Sequence, residues 1–322
     1  MNQLNNGMKV SLEALSKDDE IAIEADLEIE KSHIAELFQA VNSIISKEEA
    51  PRVRLVITAN FILSVSSRGS KKEEEYTVSR GSGVVVGKTM APDEDGIVDI
   101  LFPLQYVLSS TTDIVDIRHI AKHEAVHAHL HLMSVQPFQT VTRGEFAEAR
   151  AVFLKLAGDL AEEYLAELMS VSRGEKKRWA DKGSISDALS SMENTLLSKL
   201  AVIPEDSENY YGLLMTTTFN TFYILWKALA FLAVELVDDD ISKPVLEELS
   251  GLRGWRDYVA PGWERYFEIL RGIRSELEID IDETDEIVKD LASHLQKWAL
   301  QLGFDFHDTP DGHGWFQQVA AS

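Results

Sequence analysis

The chain contains no cysteine among its 322 residues. Disulfides, cysteine nucleophiles and thiolate metal ligands are therefore excluded, and the absence is compatible with a reducing compartment. Basic residues are scarce as well: 31 Lys and Arg stand against 54 Asp and Glu, a formal net charge of −23. A phosphate backbone is bound through a surplus of Lys and Arg, so no nucleic-acid partner is expected. The N-terminal stretch shows neither a basic n-region nor an apolar h-region, and a cytoplasmic location is the expectation. Long apolar runs are nearly absent. The one candidate, Tyr210–Val237, is interrupted by Thr216, Thr217, Thr218, Asn220, Thr221, Lys227 and Glu235. A lysine in mid-span is costly in lipid, so the run reads as a buried helix and no membrane partner is expected.

What is present suffices for a sizeable core: 45% of the residues are apolar, and the length suits about two domains. Residues 1–19 read as a loose polar start. From Glu20 to Glu30 apolar and acidic residues alternate, the period of a strand with one wet face. Ile34, Leu37, Phe38, Val41, Ile44 and Ile45 then fall at helical spacing, predicting a helix over about 31–47. Val53–Phe61, Tyr76–Val86 and Ile97–Phe102 read as further strands, the last preceded by the turn signal Pro92-Asp93-Glu94-Asp95-Gly96. Beyond Pro103 the pattern is helical: about 112–133, 142–170, 185–200, 208–237, 244–251, 261–278 and 283–302. The expected fold class is α+β, with a small, mostly antiparallel sheet, and the expected domains are 1–172, α+β, and 183–322, helical.

Five of the nine histidines lie between 119 and 131. Within that cluster His123-Glu124-Ala125-Val126-His127 is an HExxH motif. Residues four apart on a helix share a face, so His123 and His127 can present two imidazoles to one Zn2+. Glu124, about 100° around the helix, can take a proton from a water activated there and pass it to a leaving amine. His119 and His131 continue the stripe and read as solvated or outer partners, while His129 points away. A water-activating zinc site needs a third protein ligand. The next helix offers Glu145, Glu148, Asp159, Glu162, Glu163 and Glu167. Glu148 is preferred, because Ala147, Ala149 and Ala151 permit close packing on the histidine helix, with Glu145 as the alternative. For an oxyanion donor, Tyr210, Tyr211, His307 and His313 are candidates that no spacing separates. The tail 304–316 reads as loosely packed.

HEAVH followed by Glu148, Ala149 and Phe153 resembles the gluzincin-type HExxH metallopeptidases and, among them, is similar to the ImmA/IrrE-type enzymes. A weaker likeness is to the phage-exclusion protease. The resemblance covers about residues 50–165. It implies a zincin-like domain with Zn2+ on His123, His127 and Glu148, Glu124 as general acid/base, and a protein or peptide as substrate. Val126 stands where the family more often has Gly or Ser, and residues beyond about 170 have no counterpart. A metal-dependent peptidase is thus the leading expectation. A non-catalytic interaction protein on the same scaffold, or a zinc hydrolase of a small molecule, are the alternatives.

Overall fold

The computed structural model describes residues 7–29, 31–69, 79–80, 83–133, 137–138, 148–172, 182–200, 210–237, 239–276, 279–308 and 314–318. The fold is α+β, and the chain packs as two compact units, 1–136 with 166–177, and 137–165 with 178–322. The division cuts the helix that opens at Glu148.

The first unit holds a four-stranded sheet. Strand β1 (Lys9–Glu13) is followed by helices α1 (Lys17–Glu28) and α2 (His33–Asn42), then β2 (Val53–Thr58) and the short helix α3 (Phe61–Ser66). Two-residue strands β3 (Ser79–Arg80), β4 (Gly83–Val84) and β5 (Lys88–Thr89) precede β6 (Val98–Pro103), a short helix α4 (Leu104–Val107) and α5 (Ile114–Leu132). The order is β1-β2-β6-β5; β1, β2 and β6 run parallel, and β5 is antiparallel to β6. β3 and β4 form a separate antiparallel pair.

The expectation of a mostly antiparallel sheet is therefore corrected to a mixed one. For β1 and β2 the cause lies in residues 16–28. Ser16 accepts from the Asp19 amide while the Asp19 carboxylate accepts from the Ser16 amide, a reciprocal cap that starts a helix. Asp18, Asp19 and Glu20 add negative charge at its positive end. These local terms outweigh the two-residue alternation, and Ile21 and Ile29 stay exposed. The first strand is instead the polar-looking segment at 9–13. With two helices between β1 and β2, the connection is a crossover, which joins parallel strands.

β2 and β6 bury nearly every side chain, as strands covered on both faces do. Arg54 donates two hydrogen bonds of 2.7 Å to Asp99, its partner in register on β6, and Arg68 bridges Asp99 and Glu13. The turn before β6 forms as expected: Gly96 takes φ +72°, and Asp93 Oδ1 accepts from the amides of Asp95 and Ile97. Asp113 caps α5 through the Val115 amide.

The second unit contains α6 (Glu148–Ser172) as far as Leu165, then α7 (Lys182–Leu200), α8 (Tyr210–Glu235), α9 (Asp239–Ser250), α10 (Ala260–Arg271) and α11 (Ile281–Gln301). It ends in the hairpin β7 (Phe304–Asp308) and β8 (Gly314–Gln318). Trp226, Trp255, Trp263 and Trp298 are buried, as their helical spacing suggests. The expected loose tail is corrected: Phe306 is buried and packs edge-on against Phe153, with Phe219 beside it. Thr217–Glu235 is long and apolar enough to cross a membrane, and over half of it is buried inside the protein. Lys227, within that run, pairs with Glu163.

Candidate metal centre

α5 carries the HExxH residues because its apolar positions grip the first unit. Ile117, Ala121, Ala125, Val126 and Ala128 are buried, and the helix packs on α2, β6 and β5. Alanine at 121, 125 and 128 lets neighbouring backbone approach closely. His123 and His127 stand one turn apart, and their Nε2 atoms are 3.2 Å from each other. Two nitrogens each about 2.0–2.1 Å from one ion at a tetrahedral angle lie about 3.3 Å apart, so this spacing fits a shared metal ion.

α6 supplies the carboxylates. Glu167 is buried, 3% exposed in its side chain, with Oε2 3.1 Å from His119 Nε2 and 3.3 Å from His123 Nδ1. Burial raises its pKa, but the hydrogen bonds from His119 and His123 outweigh that and hold it at about 2. Donating from Nδ1 to Glu167 puts the His123 lone pair on Nε2, the usual way a carboxylate sets the tautomer of a metal-binding histidine. One turn earlier on this continuous helix stands Glu163. It, His123 and His127 each offer a ligand atom, and these atoms lie within 4.8 Å of one another. The group could hold a metal ion. Two imidazoles and one carboxylate are the donor set of a water-activating zinc site.

Glu163 also accepts hydrogen bonds from Lys227 Nζ and, at 3.5 Å, from the Tyr223 hydroxyl. Burial, and then the negative charges of Glu163, Asp159 and Glu162, push the Tyr223 hydroxyl well above the ordinary tyrosine range. Glu124 faces the sheet edge. The Thr89 hydroxyl on β5 lies 2.8 Å from both Glu124 Oε2 and the Glu124 carbonyl, and with one proton it donates to one at a time. Gly87, just before β5, leaves no room for a side chain: a Cβ there would stand 2.9 Å from Glu124 Cγ and 3.1 Å from both Ile120 and Phe102.

The expected residues are thus distributed as follows. His123 and His127 converge, with Glu124 between them in sequence. Glu148 opens α6, but its side chain lies outside the described residues, as does all of Glu145. Among the described residues the α6 carboxylate that groups with the pair is that of Glu163, and the side chain of Glu148 is not one of those described. At about 1.5 Å of rise per residue the two are about 22 Å apart along the helix, so they cannot ligate one ion. His119 is an outer partner through Glu167, whereas His129 Nδ1 pairs with Glu49 at 2.6 Å. Of the oxyanion candidates, His307 is exposed and pairs with Asp305, while the side chains of Tyr210 and Tyr211 and all of His313 lie outside the described residues. Sequence reasoning did not single out Thr89, Glu163, Glu167 or Gly87. One signal was available: Glu163 and Glu167 repeat on α6 the four-residue spacing of His123 and His127. Last, β6 lies between β2 and β5, so the sheet edge beside Glu124 is β5 and not the strand over 98–103.

No protein-family model matches the sequence, and neither a curated protein nor a solved structure matches this chain.

Proposed function

We propose that the chain is a zinc-dependent peptidase whose metal ligands are His123, His127 and Glu163. The observation that supports this reading above all is the 3.2 Å convergence of the His123 and His127 Nε2 atoms, with Glu163 completing the group. A zinc ion bound there supplies Lewis acidity and a water of lowered pKa. The chain's own residues do the rest. Glu124 accepts the proton of the attacking water and delivers it to the leaving amine. Thr89, hydrogen-bonded to Glu124 Oε2, restricts that carboxylate to one side of α5. Glu167 holds His123 by its Nδ1 and so keeps Nε2 turned toward His127.

A peptide, rather than a small molecule, is favoured by the sheet edge. β5 pairs with β6 on one side only among the described residues, and its Thr89 touches the proton-transferring carboxylate. An extended chain laid along such an edge is held by main-chain hydrogen bonds. The proposed ligand set keeps the two histidines and Glu124 that the resemblance to the ImmA/IrrE-type enzymes implies, and takes Glu163 in place of Glu148. Two measurements test the reading. Zinc in the purified protein should be stoichiometric, and in His123→Ala much lower; equal traces in both would remove the metal. Casein and a fluorogenic peptide library should be cleaved by the wild type and not by Glu124→Gln. Zinc without cleavage would favour a non-catalytic scaffold.

A further inference from the structure

His119 is buried one turn before His123 on α5 and is not needed by the ligand set above. Successive residues turn about 100°, so His119 and His127 differ by about 80° around the helix and by about 12 Å along it. His119 therefore cannot share their ion. Its Nε2 is 3.1 Å from Glu167 Oε2, the same oxygen that lies 3.3 Å from His123 Nδ1. Glu167 Oε1, also buried, has no hydrogen-bond partner among the described residues. The hold on this carboxylate thus passes through one oxygen, shared by two imidazoles. A glutamate has three rotatable side-chain bonds. With one donor removed, little besides packing would keep Oε2 opposite His123.

We infer that His119 is a positioning residue for the metal centre: its Nε2–H donates to Glu167 Oε2 and fixes the point at which the carboxylate receives His123 Nδ1–H. His123 Nε2 is thereby aimed at His127. This rests on the metal-centre reading. A histidine that merely fills space beneath α5 would leave the ligand geometry indifferent to its replacement by another side chain of similar bulk.

The experiment uses the full chain with His119→Gln, His119→Asn and His119→Leu. Glutamine keeps an N–H donor at similar reach, asparagine keeps an amide that falls short, and leucine keeps bulk without a donor. Zinc affinity is measured by competition with a chromophoric chelator. The His123 tautomer is read from long-range imidazole 1H–15N spectra without metal. The expected result is a loss of zinc affinity of about 10- to 100-fold in His119→Leu and His119→Asn, the range for a partner that orients a ligand. In both, His123 should lose its Nδ1–H tautomer, and His119→Gln should restore both readouts to near wild type. Should leucine not fold, the Asn and Gln pair carries the comparison. Wild-type affinity and tautomer in the donor-less variants would overturn the inference while leaving the metal centre standing. Equal traces of zinc in wild type and His123→Ala would instead remove the centre itself, and the inference with it.

Discussion

Replacing Glu163 by Gln should release zinc, whereas replacing Glu148 by Gln should not. The two positions sit on one continuous helix, and the axial distance between them is about 22 Å at about 1.5 Å per residue. A ligand bond is only about 2.0–2.2 Å long, so one residue at most can serve the pair on α5. Glu163 supplies the one negative charge among the three donors. Partners that merely orient a ligand are each associated with 10- to 100-fold in affinity, so removing a ligand should cost at least about 100-fold, or about 2.7 kcal/mol. Glu148→Gln should stay within about twofold of wild type. Gln at 163 keeps an oxygen acceptor for Lys227, so the helix pairing that Glu163 also supports is spared in part. Affinity is measured by chelator competition, stoichiometry by elemental analysis after gel filtration, and fold by circular dichroism. Retained zinc in a folded Glu163→Gln, with loss in Glu148→Gln, would refute the geometry.

Four shorter predictions accompany this one. Glu124→Gln should keep zinc and fold but lower cleavage of any peptide substrate by about 10²- to 10⁴-fold; undiminished turnover would point to another base. Gly87→Ala forces a Cβ to within 2.9 Å of Glu124 Cγ, so urea denaturation should show a loss of about 1–3 kcal/mol, and unchanged stability would contradict the close packing. Lys227→Met removes a cation beside Glu163 and should tighten zinc several-fold in the same chelator assay; weaker binding would mean that Lys227 orients Glu163. Burial raises the Glu49 pKa, but hydrogen bonds from His129 and the Ser46 amide, with the His129 charge, lower it to about 2. A depressed folded pKa stabilises above the unfolded value near 4.5, and that stability is lost as pH falls toward 2, here about 1–2 kcal/mol after solvent screening. Urea titrations across that window should show a weaker acid dependence in Glu49→Gln, and identical slopes would contradict the pairing.

Several helices were legible in the sequence and lie close to their expected spans: α2, α10 and α11 by apolar periodicity, α5 by the stripe of its histidine motif, and α8 by its long apolar run. The turn at Pro92–Gly96 and the buried tryptophans were legible for the same local reasons. Residues 20–30 were misread because alternation and capping gave opposite answers, and the cap at Ser16 and Asp19 prevailed. The parallel pairing of β1 with β2 followed from that element, since a strand at 20–30 would have allowed hairpin pairing and a helix there imposes a crossover. β1 was hidden for the opposite reason. It is a five-residue edge strand whose side chains are half-buried or exposed, so it carries no apolar pattern to read.

The centre divides along the same line between local and long-range information. His123 and His127 are fixed to each other by one helical turn, so their convergence is written in a five-residue motif. Glu163 lies some forty residues from them in sequence, and any of six acids on or before α6 satisfied the sequence pattern. Alanines around Glu148 signal that a backbone can approach, but not which one. What singles out position 163 is a combination visible only in three dimensions. Glu167, one turn on, is anchored by His119 and His123 in the first unit, and the helical repeat then carries Glu163 to the same face. Glu163 and Glu167 are thus one four-residue repeat on α6, matching the repeat of His123 and His127 on α5. A shift of α6 by a single residue would rotate both carboxylates by about 100° and dismantle the group. In the proposed centre the buried contact of Glu167 with His119 and His123 would set that register, and the place of residue 163 would follow from it.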